Sequence, residues 1–143
     1  MAMEAQGCAV FFSTTSSMTT AAGGRVGQVV SFTGPSGAAG VIDVTHLAST
    51  AKEKLMGLRD EGNIGFSCNF LATDAVQIKV REQRATRTLS NIAIGFTDTA
   101  SPHLIHSKCY ITNFSLGGSV DNKMTLDFTA ELTGPITWTT FTP

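Results

Sequence analysis

The sequence predicts a mainly β protein, a β-sandwich or barrel of two packed antiparallel sheets with one or two short helices. Short runs of alternating apolar and polar residues recur along the chain, with glycine- and proline-rich turn signals between them. The chain has no internal repeat, and strands outnumber helical segments, which argues against an α/β fold. Its 143 residues fit a single domain that spans residues 1–143.

The N-terminal third contains two predicted strands and a long polar segment. Residues 7–12 are apolar and predict a first strand, while residues 13–24 are rich in Ser, Thr and Gly and predict a flexible loop. This loop is either an arm that orders against a neighbouring subunit or a surface loop with no partner. Residues 26–33 predict a second strand with Val26, Val30 and Phe32 on one face. The turn residues 34–37 then predict a hairpin into a strand that begins near position 38.

The segment from Gly40 to Phe70 contains two strand signals around a helix signal. Residues 41–45 are rich in β-branched side chains, which favour a strand. Ser49 or Thr50 can cap a short helix over residues 51–56, which are good helix formers. A turn between Gly57 and Gly62 follows. Apolar residues then alternate from Ile64 to Phe70 and predict a half-buried strand.

Residues 74–87 give conflicting signals. Val76, Ile78 and Val80 alternate with polar residues, which favours a strand. Asp74 and Gln77 have the spacing of a capping box, which favours a helix. Lys79, Arg81, Arg84 and Arg87 make this the most basic segment, and without interleaved aromatic residues it indicates a solvated or subunit-pairing face rather than a DNA-binding patch.

The C-terminal half is predicted to be entirely β. Residues 90–97 alternate and predict a strand, and a turn follows at 98–102. Residues 110–116 and 124–132 predict an antiparallel pair joined at Gly117-Gly118, with Tyr110, Thr112, Phe114 and Leu116 on one face. Gly134-Pro135 is expected to break the ladder, and residues 135–143 to form a strand or arm.

Composition and motifs argue against several functions. Only 15% of the residues are charged and the formal net charge is −1, so nothing favours tight binding to nucleic acid or an anionic membrane. Cys8, Cys68 and Cys109 are widely spaced and suit reduced thiols. The start lacks a signal-peptide pattern, which predicts a cytosolic product. His103 and His106 suggest either a weak metal site or polar surface, and no catalytic constellation is present.

The chain resembles the major tail tube proteins of long, non-contractile-tailed bacteriophages. The residues that carry this resemblance are Asp43-Val44-Thr45, Gly57-Leu58, Asp60, Gly62, Phe66, Asn69-Phe70 and the closing run YITNF…LDFTAELTG. The resemblance implies the tail tube fold with a helix at residues 74–87. It also implies six-membered rings whose sheets join into an inner barrel and stack into a tube in the virion.

The resemblance also implies partners. The chain would bind itself, a tape-measure protein inside the tube, and tail-tip and terminator proteins at its ends. DNA would pass through without specific binding, and neither a cofactor nor a membrane anchor is expected. Assembly in the host cytoplasm would follow.

Two groups of residues are candidate functional positions. Thr125, Asp127, Thr129 and Glu131 lie opposite the apolar face of the last long strand and could face either the tube lumen or solvent. The candidate subunit-interface residues are Ser49, Thr50, Lys52, Arg59, Asp60, Arg81 and Arg84. The alternatives to a phage tail tube are a subunit of a type VI secretion-like tube and a monomeric β-sandwich binding module.

Overall fold

The computed structural model describes residues 7–14, 24–96 and 103–140. These residues form eight strands and one helix: β1 (Ala9–Ser13), β2 (Val29–Thr33), β3 (Ala38–Asp43), β4 (Lys54–Asp60), β5 (Asn63–Asn69), α1 (Ala75–Thr86), β6 (Ser90–Phe96), β7 (His103–Gly117) and β8 (Thr125–Thr140). The predicted mainly β fold with two antiparallel sheets is confirmed.

The larger sheet has six antiparallel strands in the order β1-β6-β7-β8-β5-β2. Its two longest strands, β7 and β8, pair from His103 with Thr140 to Gly117 with Thr125. The predicted antiparallel pair around Gly117-Gly118 is therefore confirmed and extends further than expected. The predicted strand over residues 64–70 is β5, which pairs with β8 on one side and β2 on the other.

The main core lies on one face of the larger sheet, and a smaller buried cluster of Ala9, Phe11, Ala93 and Leu104 lies on the other face. Alternate residues of β5 and β8 are buried, and the Phe128 ring lies 5.2 Å from Phe66 and 5.6 Å from Phe114. Helix α1 packs against this face through Val76 and Val80. Burial of these side chains is the main favourable term that holds the sheet and helix together.

Helix α1 confirms the helical alternative at residues 74–87. Asp74 is the N-cap, and its Oδ1 accepts from the Val76 N–H at 3.0 Å. Gln77 is not part of a capping box, because its buried amide instead bonds backbone groups of other segments. Alternation over residues 76–80 fails as a strand signal because Ile78 is only half buried and Val76 and Val80 carry the packing.

The predicted short helix after Ser49 is wrong. Residues 54–60 form β4, which pairs with β3 so that Ile42 lies opposite Leu55 and Val41 opposite Met56. Cross-strand pairing of these apolar residues outweighs the modest helix propensity of the segment. The predicted strand over residues 41–45 is confirmed only to Asp43, where β3 ends.

The predicted hairpin between β2 and β3 is also wrong. Residues 34–37 carry the chain from one sheet to the other, so β2 pairs with β5 and β3 with β4. The expected facing of β2 is wrong as well, because a register irregularity between Val29 and Ser31 leaves Val30 exposed while Val29 packs against the core.

Two irregularities in the long strands explain the remaining differences. Thr112 is an extra residue in β7, so Ile111 and Phe114 face the core, and Tyr110 and Thr112 do not. Gly134-Pro135 does not end β8. Lys108 pairs with Thr133 and His106 with Thr137, so β8 bulges there and continues as a strand to Thr140.

The remaining expectations concern the loops, the two histidines, the cysteines and membrane-spanning helices. Residues 15–23, 97–102 and 141–143 lie outside the described residues, and so do most of the predicted flexible loop and the turn before β7. His103 and His106 belong to the central strand β7, and the described residues contain no group that could hold a metal ion. Cys8, Cys68 and Cys109 are all free thiols. No helix in the described part of the chain is long and apolar enough to cross a membrane.

Candidate assembly surfaces

The candidate lumen residues lie together on a polar sheet face. Where β2, β5, β8 and the second half of β7 run side by side, the face opposite the core carries small, polar and acidic side chains. They are Ser31, Thr33, Asn63, Gly65, Ser67, Asn69, Tyr110, Asn113, Ser115, Thr125, Asp127, Thr129 and Glu131. We call this four-stranded surface the polar face.

The polar face carries negative charge and no positive charge within these four strands. Asp127 and Glu131 are exposed, and Thr125 and Thr129, which alternate with them along β8, are half buried. The Ser67 hydroxyl donates to Asp127 Oδ1 across the β5–β8 pair. The nearest basic residue along the β7–β8 pair is Lys108, which pairs with Thr133 beyond the polar face. The face therefore presents hydroxyl groups and carboxylates.

The polar face ends in two open strand edges. β2 pairs only with β5, which leaves its other edge without a strand among the described residues. β6 pairs with β7 only as far as Ser90 with Cys109, so the second half of β7 has no strand on that side either. Open edges present unpaired N–H and C=O groups that another chain can complete.

A second surface is the hairpin formed by β3 and β4. Its exposed apolar side chains include Val41, Ile42, Leu55, Met56 and Leu58, of which Leu58 is 96% exposed. Sequence reasoning missed this surface because it assigned residues 51–56 to a helix. The apolar residues Leu55, Met56 and Leu58 do not alternate regularly with polar ones, so the pattern of KLMGLRD carried no clear strand signal. Apolar groups this exposed and this close together mark an interaction surface.

The tip of the hairpin is a hydrogen-bonded polar turn that contains three candidate interface residues. The Ser49 hydroxyl accepts from the His46 N–H at 3.1 Å and donates to Glu53 Oε2 at 2.8 Å. Thr50 and Lys52 are exposed beside it. Asp43 and Thr45 stiffen the base of this turn, and the hydrogen bonds from Thr45 lower the pKa of the Asp43 carboxyl.

Arg59 and Asp60 lie at the opposite end of β4. Arg59 Nε is 3.6 Å from Glu61 Oε1, and Asp60 Oδ1 accepts from the Gly62 N–H at 3.0 Å. Gly62 has a φ of +75° and its carbonyl accepts from the Leu132 N–H at 3.0 Å, which anchors the hairpin to β8. The five candidate residues of this segment therefore share one projecting element.

Arg81 and Arg84 lie on α1, on a separate surface. Arg84 is exposed and lines a groove of about 660 Å³ with Gln83, Arg87 and Tyr110. The groove runs beside the open edge of β7. Arg81 is half buried, and its Nε is enclosed with no hydrogen-bond partner among the described residues. The structure thus divides the predicted interface residues between the hairpin and the helix.

These surfaces define the class of protein. The described residues combine an uncharged or acidic sheet face, two open strand edges and a projecting apolar hairpin. The buried thiols of Cys68 and Cys109 are protonated near neutral pH. Burial raises the pKa of Cys68 to about 11 and of Cys109 to about 12, so neither is a reactive thiolate near neutral pH. The arrangement is that of a structural β protein built to associate with other chains.

The family follows from the sequence comparison. The family described as "Phage tail tube, TTP, lambda-like" matches residues 1–142, and the chain belongs to it. The protein is therefore a structural subunit of a tail tube. No curated protein sequence matches significantly.

Several solved structures share the fold at low sequence identity. A chain of the PVC sheath-tube complex of an extracellular contractile injection system, in the extended state, aligns with a TM-score of 0.72 at 9% identity, over 98% of this chain and 93% of that one. A chain of the SPP1 tail tube aligns with a TM-score of 0.72 at 8% identity, over 98% of this chain and 80% of that one. A chain of the native gene transfer agent virion aligns with a TM-score of 0.68 at 16% identity, over 91% of this chain and 95% of that one. These likenesses support the tail tube fold.

Proposed function

We propose that six copies of this chain close into a ring, that rings stack into the tail tube of a siphovirus, and that DNA reaches the host through the lumen. The observation that carries the proposal is the polar face, which lies between two open strand edges. Pairing β2 of one copy with the second half of β7 of the next would complete both edges. Closure of the ring then leaves no open edge on the inner wall.

The size of such a ring suits DNA passage. Four strands from each of six copies make about 24 strands, and at about 4.8 Å spacing and about 40° tilt their backbones enclose a diameter of about 48 Å. Side chains on the inner wall reduce the free bore to about 38 Å. A DNA duplex passes through a bore of this width without touching both walls.

The polar face suits the inner wall of this ring. Asp127 and Glu131 would repel the phosphates of DNA, while Thr125 and Thr129 would keep the wall hydrated. Strands β2 and β5, residues 110–117 of β7 and residues 125–131 of β8 contain no Lys or Arg to hold the duplex. The nearest basic side chain on this side of the sheet is Lys108, two residues beyond Tyr110. The competing arrangement places the polar face on the outside, in contact with solvent.

The candidate interface residues would act between copies. The hairpin with Ser49, Thr50 and Lys52 at its tip and Arg59 and Asp60 at its base would bury its apolar side chains against a neighbouring subunit. Arg84 lines the groove beside the β7 edge, where the next copy would add its strand, and Arg81 lies three residues earlier on the same helix. A permanent interface of this kind buries more than about 2,000 Å² in total.

Further partners follow from the tube. A tape-measure protein would occupy the lumen during assembly, and tail-tip and terminator proteins would cap the two ends. We expect assembly in the host bacterial cytoplasm and incorporation into the virion tail. The reduced thiols fit a cytoplasmic site of assembly.

Size-exclusion chromatography followed by electron microscopy of the purified protein tests the ring. We expect rings or tubes with sixfold symmetry. A protein that stays monomeric at high concentration, with or without tail-tip proteins, would contradict self-assembly. A ring in which the polar face points outward would contradict the lumen assignment alone.

Charge reversal tests the lumen directly. Asp127→Lys and Glu131→Lys should leave tube length unchanged and slow genome ejection, because basic groups on the inner wall would attract phosphates. Glu82→Lys on the exposed surface of α1 is the matched control and should eject DNA at the normal rate. Unaltered infectivity and ejection in the lumen variants, with intact tubes, would exclude this inner wall.

A further inference from the structure

The β7–β8 ribbon carries exposed apolar side chains at both of its ends. At the end where the strands turn, Leu116 and Met124 are each nearly half exposed and Val120 is 91% exposed. We call these three residues the turn patch. At the other end Trp138 is 63% exposed. The described residues of a single copy leave both regions in contact with water.

These two regions cannot cover each other within one copy. Trp138 pairs with Ile105, and Leu116 pairs with Leu126 at the other end of the ribbon. The separation along β7 is roughly eleven residues, or about 36 Å at the rise of a β-strand. Only a second molecule can bring the turn patch into contact with Trp138.

Trp138 is held as a flat platform. Its indole stacks on Phe96, with the ring centroids 6.4 Å apart and the planes 18° from parallel. Stacking restricts the side chain before any contact forms, so little rotamer entropy is lost on binding. Exposed, preorganised Trp residues are frequent anchors of interfaces. The platform therefore suits a small apolar knob such as Val120.

We propose that the turn patch of one copy packs against the Trp138 platform of a copy in the adjacent ring. This contact rests on the proposed stacking of rings and adds which surfaces make it. The partner is a second copy because one repeated contact would cover both apolar regions. Every subunit that has a ring above and below it would bury its turn patch on one side and its Trp138 platform on the other. The exposed Asp121 and Lys123 would form a polar rim around the turn patch.

The direction of the contact follows from symmetry. A twofold contact of turn patch with turn patch would close after two copies and leave every Trp138 exposed. A head-to-tail contact uses different surfaces on the two partners, so it repeats indefinitely along one axis. A tube that grows by adding rings requires contacts of the second kind.

Substitution separates this contact from ring formation. Val120→Asp should preserve rings and reduce the mass of tubes at least tenfold, because it buries an unpaired carboxylate against Trp138. Asn122→Asp places the same charge in the same turn and keeps the side-chain oxygen that accepts from the Lys123 N–H, so its tubes should be normal. Trp138→Ala should reproduce the effect of Val120→Asp.

The outcomes distinguish the two proposals. Normal tubes from Val120→Asp or from Trp138→Ala would overturn the contact while leaving the ring proposal intact. Equal loss of tubes in Asn122→Asp would also overturn it, since charge alone would then be the cause. A native protein that forms neither rings nor tubes would instead refute the proposed function.

Disulfide trapping gives an independent readout. With Cys8 replaced by Ser, Ser119→Cys and Thr140→Cys add thiols beside the turn patch and the platform without removing apolar groups. Oxidised tubes of the double variant should give a ladder of multimers on non-reducing gels, and each single variant should stay monomeric. Dimers in the Ser119→Cys variant alone would reveal a turn-to-turn contact and overturn the proposal, as would an absence of cross-links in intact double-variant tubes.

Discussion

The buried amide of Gln77 links three segments, and its removal should weaken the monomer sharply. Its Oε1 accepts from the Leu71 N–H at 3.0 Å, and its Nε2 donates to the carbonyls of Gly27 and Asn69 at 3.3 and 3.0 Å. The side chain is 1% exposed. Gln77→Met keeps the side-chain length and the helix propensity but removes all three bonds.

The cost can be worked from these contacts. Each hydrogen bond contributes about 1 kcal/mol, and the backbone groups left without partners raise the total to about 3 to 5 kcal/mol. For a chain of this size that loss lowers Tm by about 10 to 17 °C. The free energy of unfolding of such domains is only about 5–15 kcal/mol, so the variant loses a large share of its stability.

Urea unfolding followed by circular dichroism, at concentrations where the chain is monomeric, measures the effect. Gln83→Met is the matched control, because Gln83 lies on the same helix and its side chain accepts one bond, from the Ser90 hydroxyl at 3.1 Å. We expect the control to lose about 1 kcal/mol. If the two variants unfold within about 1 kcal/mol of each other, the reasoning from the Gln77 bonds is refuted.

Two further predictions concern the hairpin and the thiols. Gly62→Ala should destabilise the chain and hinder tube formation, because position 62 has a φ of +75° and an added Cβ would meet the Ser36 carbonyl; normal melting and normal tubes would contradict this. Cys68 and Cys109 should resist iodoacetamide at pH 8 in the native protein and react after unfolding, and fast native alkylation would contradict the burial. Because burial raises the pKa of Cys109 to about 12, its contribution to stability is present below the unfolded pKa of about 8.5 and is lost as pH rises towards 12. Cys109→Ala should remove that part of the alkaline loss of stability.

Period-two patterns made much of the fold predictable from sequence. β5 and the first half of β8 have one strictly buried face, and any shift of one residue would expose that face, so the pattern and the structure agree. The polar face is the other side of the same alternation, which is why Asp127 and Glu131 could be placed on a common surface.

The errors arose where long-range pairing decides the structure. Residues 51–56 have acceptable helix propensity, and only the pairing of Leu55 and Met56 with β3 makes residues 54–56 part of a strand. The turn residues 34–37 were predicted to close a hairpin, but they connect two sheets. The choice of a helix over a strand at residues 74–87 depended on the family resemblance. Val76 and Val80 are the buried apolar residues of α1, and two residues give a weak amphipathic pattern.

The bulge in β8 leaves alternate residues of the strand facing the same two sides of the sheet before and after it. Between Thr133 and Thr137 the strand contains two more residues than β7 does between Lys108 and His106, so the inward and outward sides of β8 keep their identities across the bulge. An insertion or deletion of a single residue there would exchange the two sides for the remainder of the strand. Length changes at this position in related chains should therefore come in steps of two.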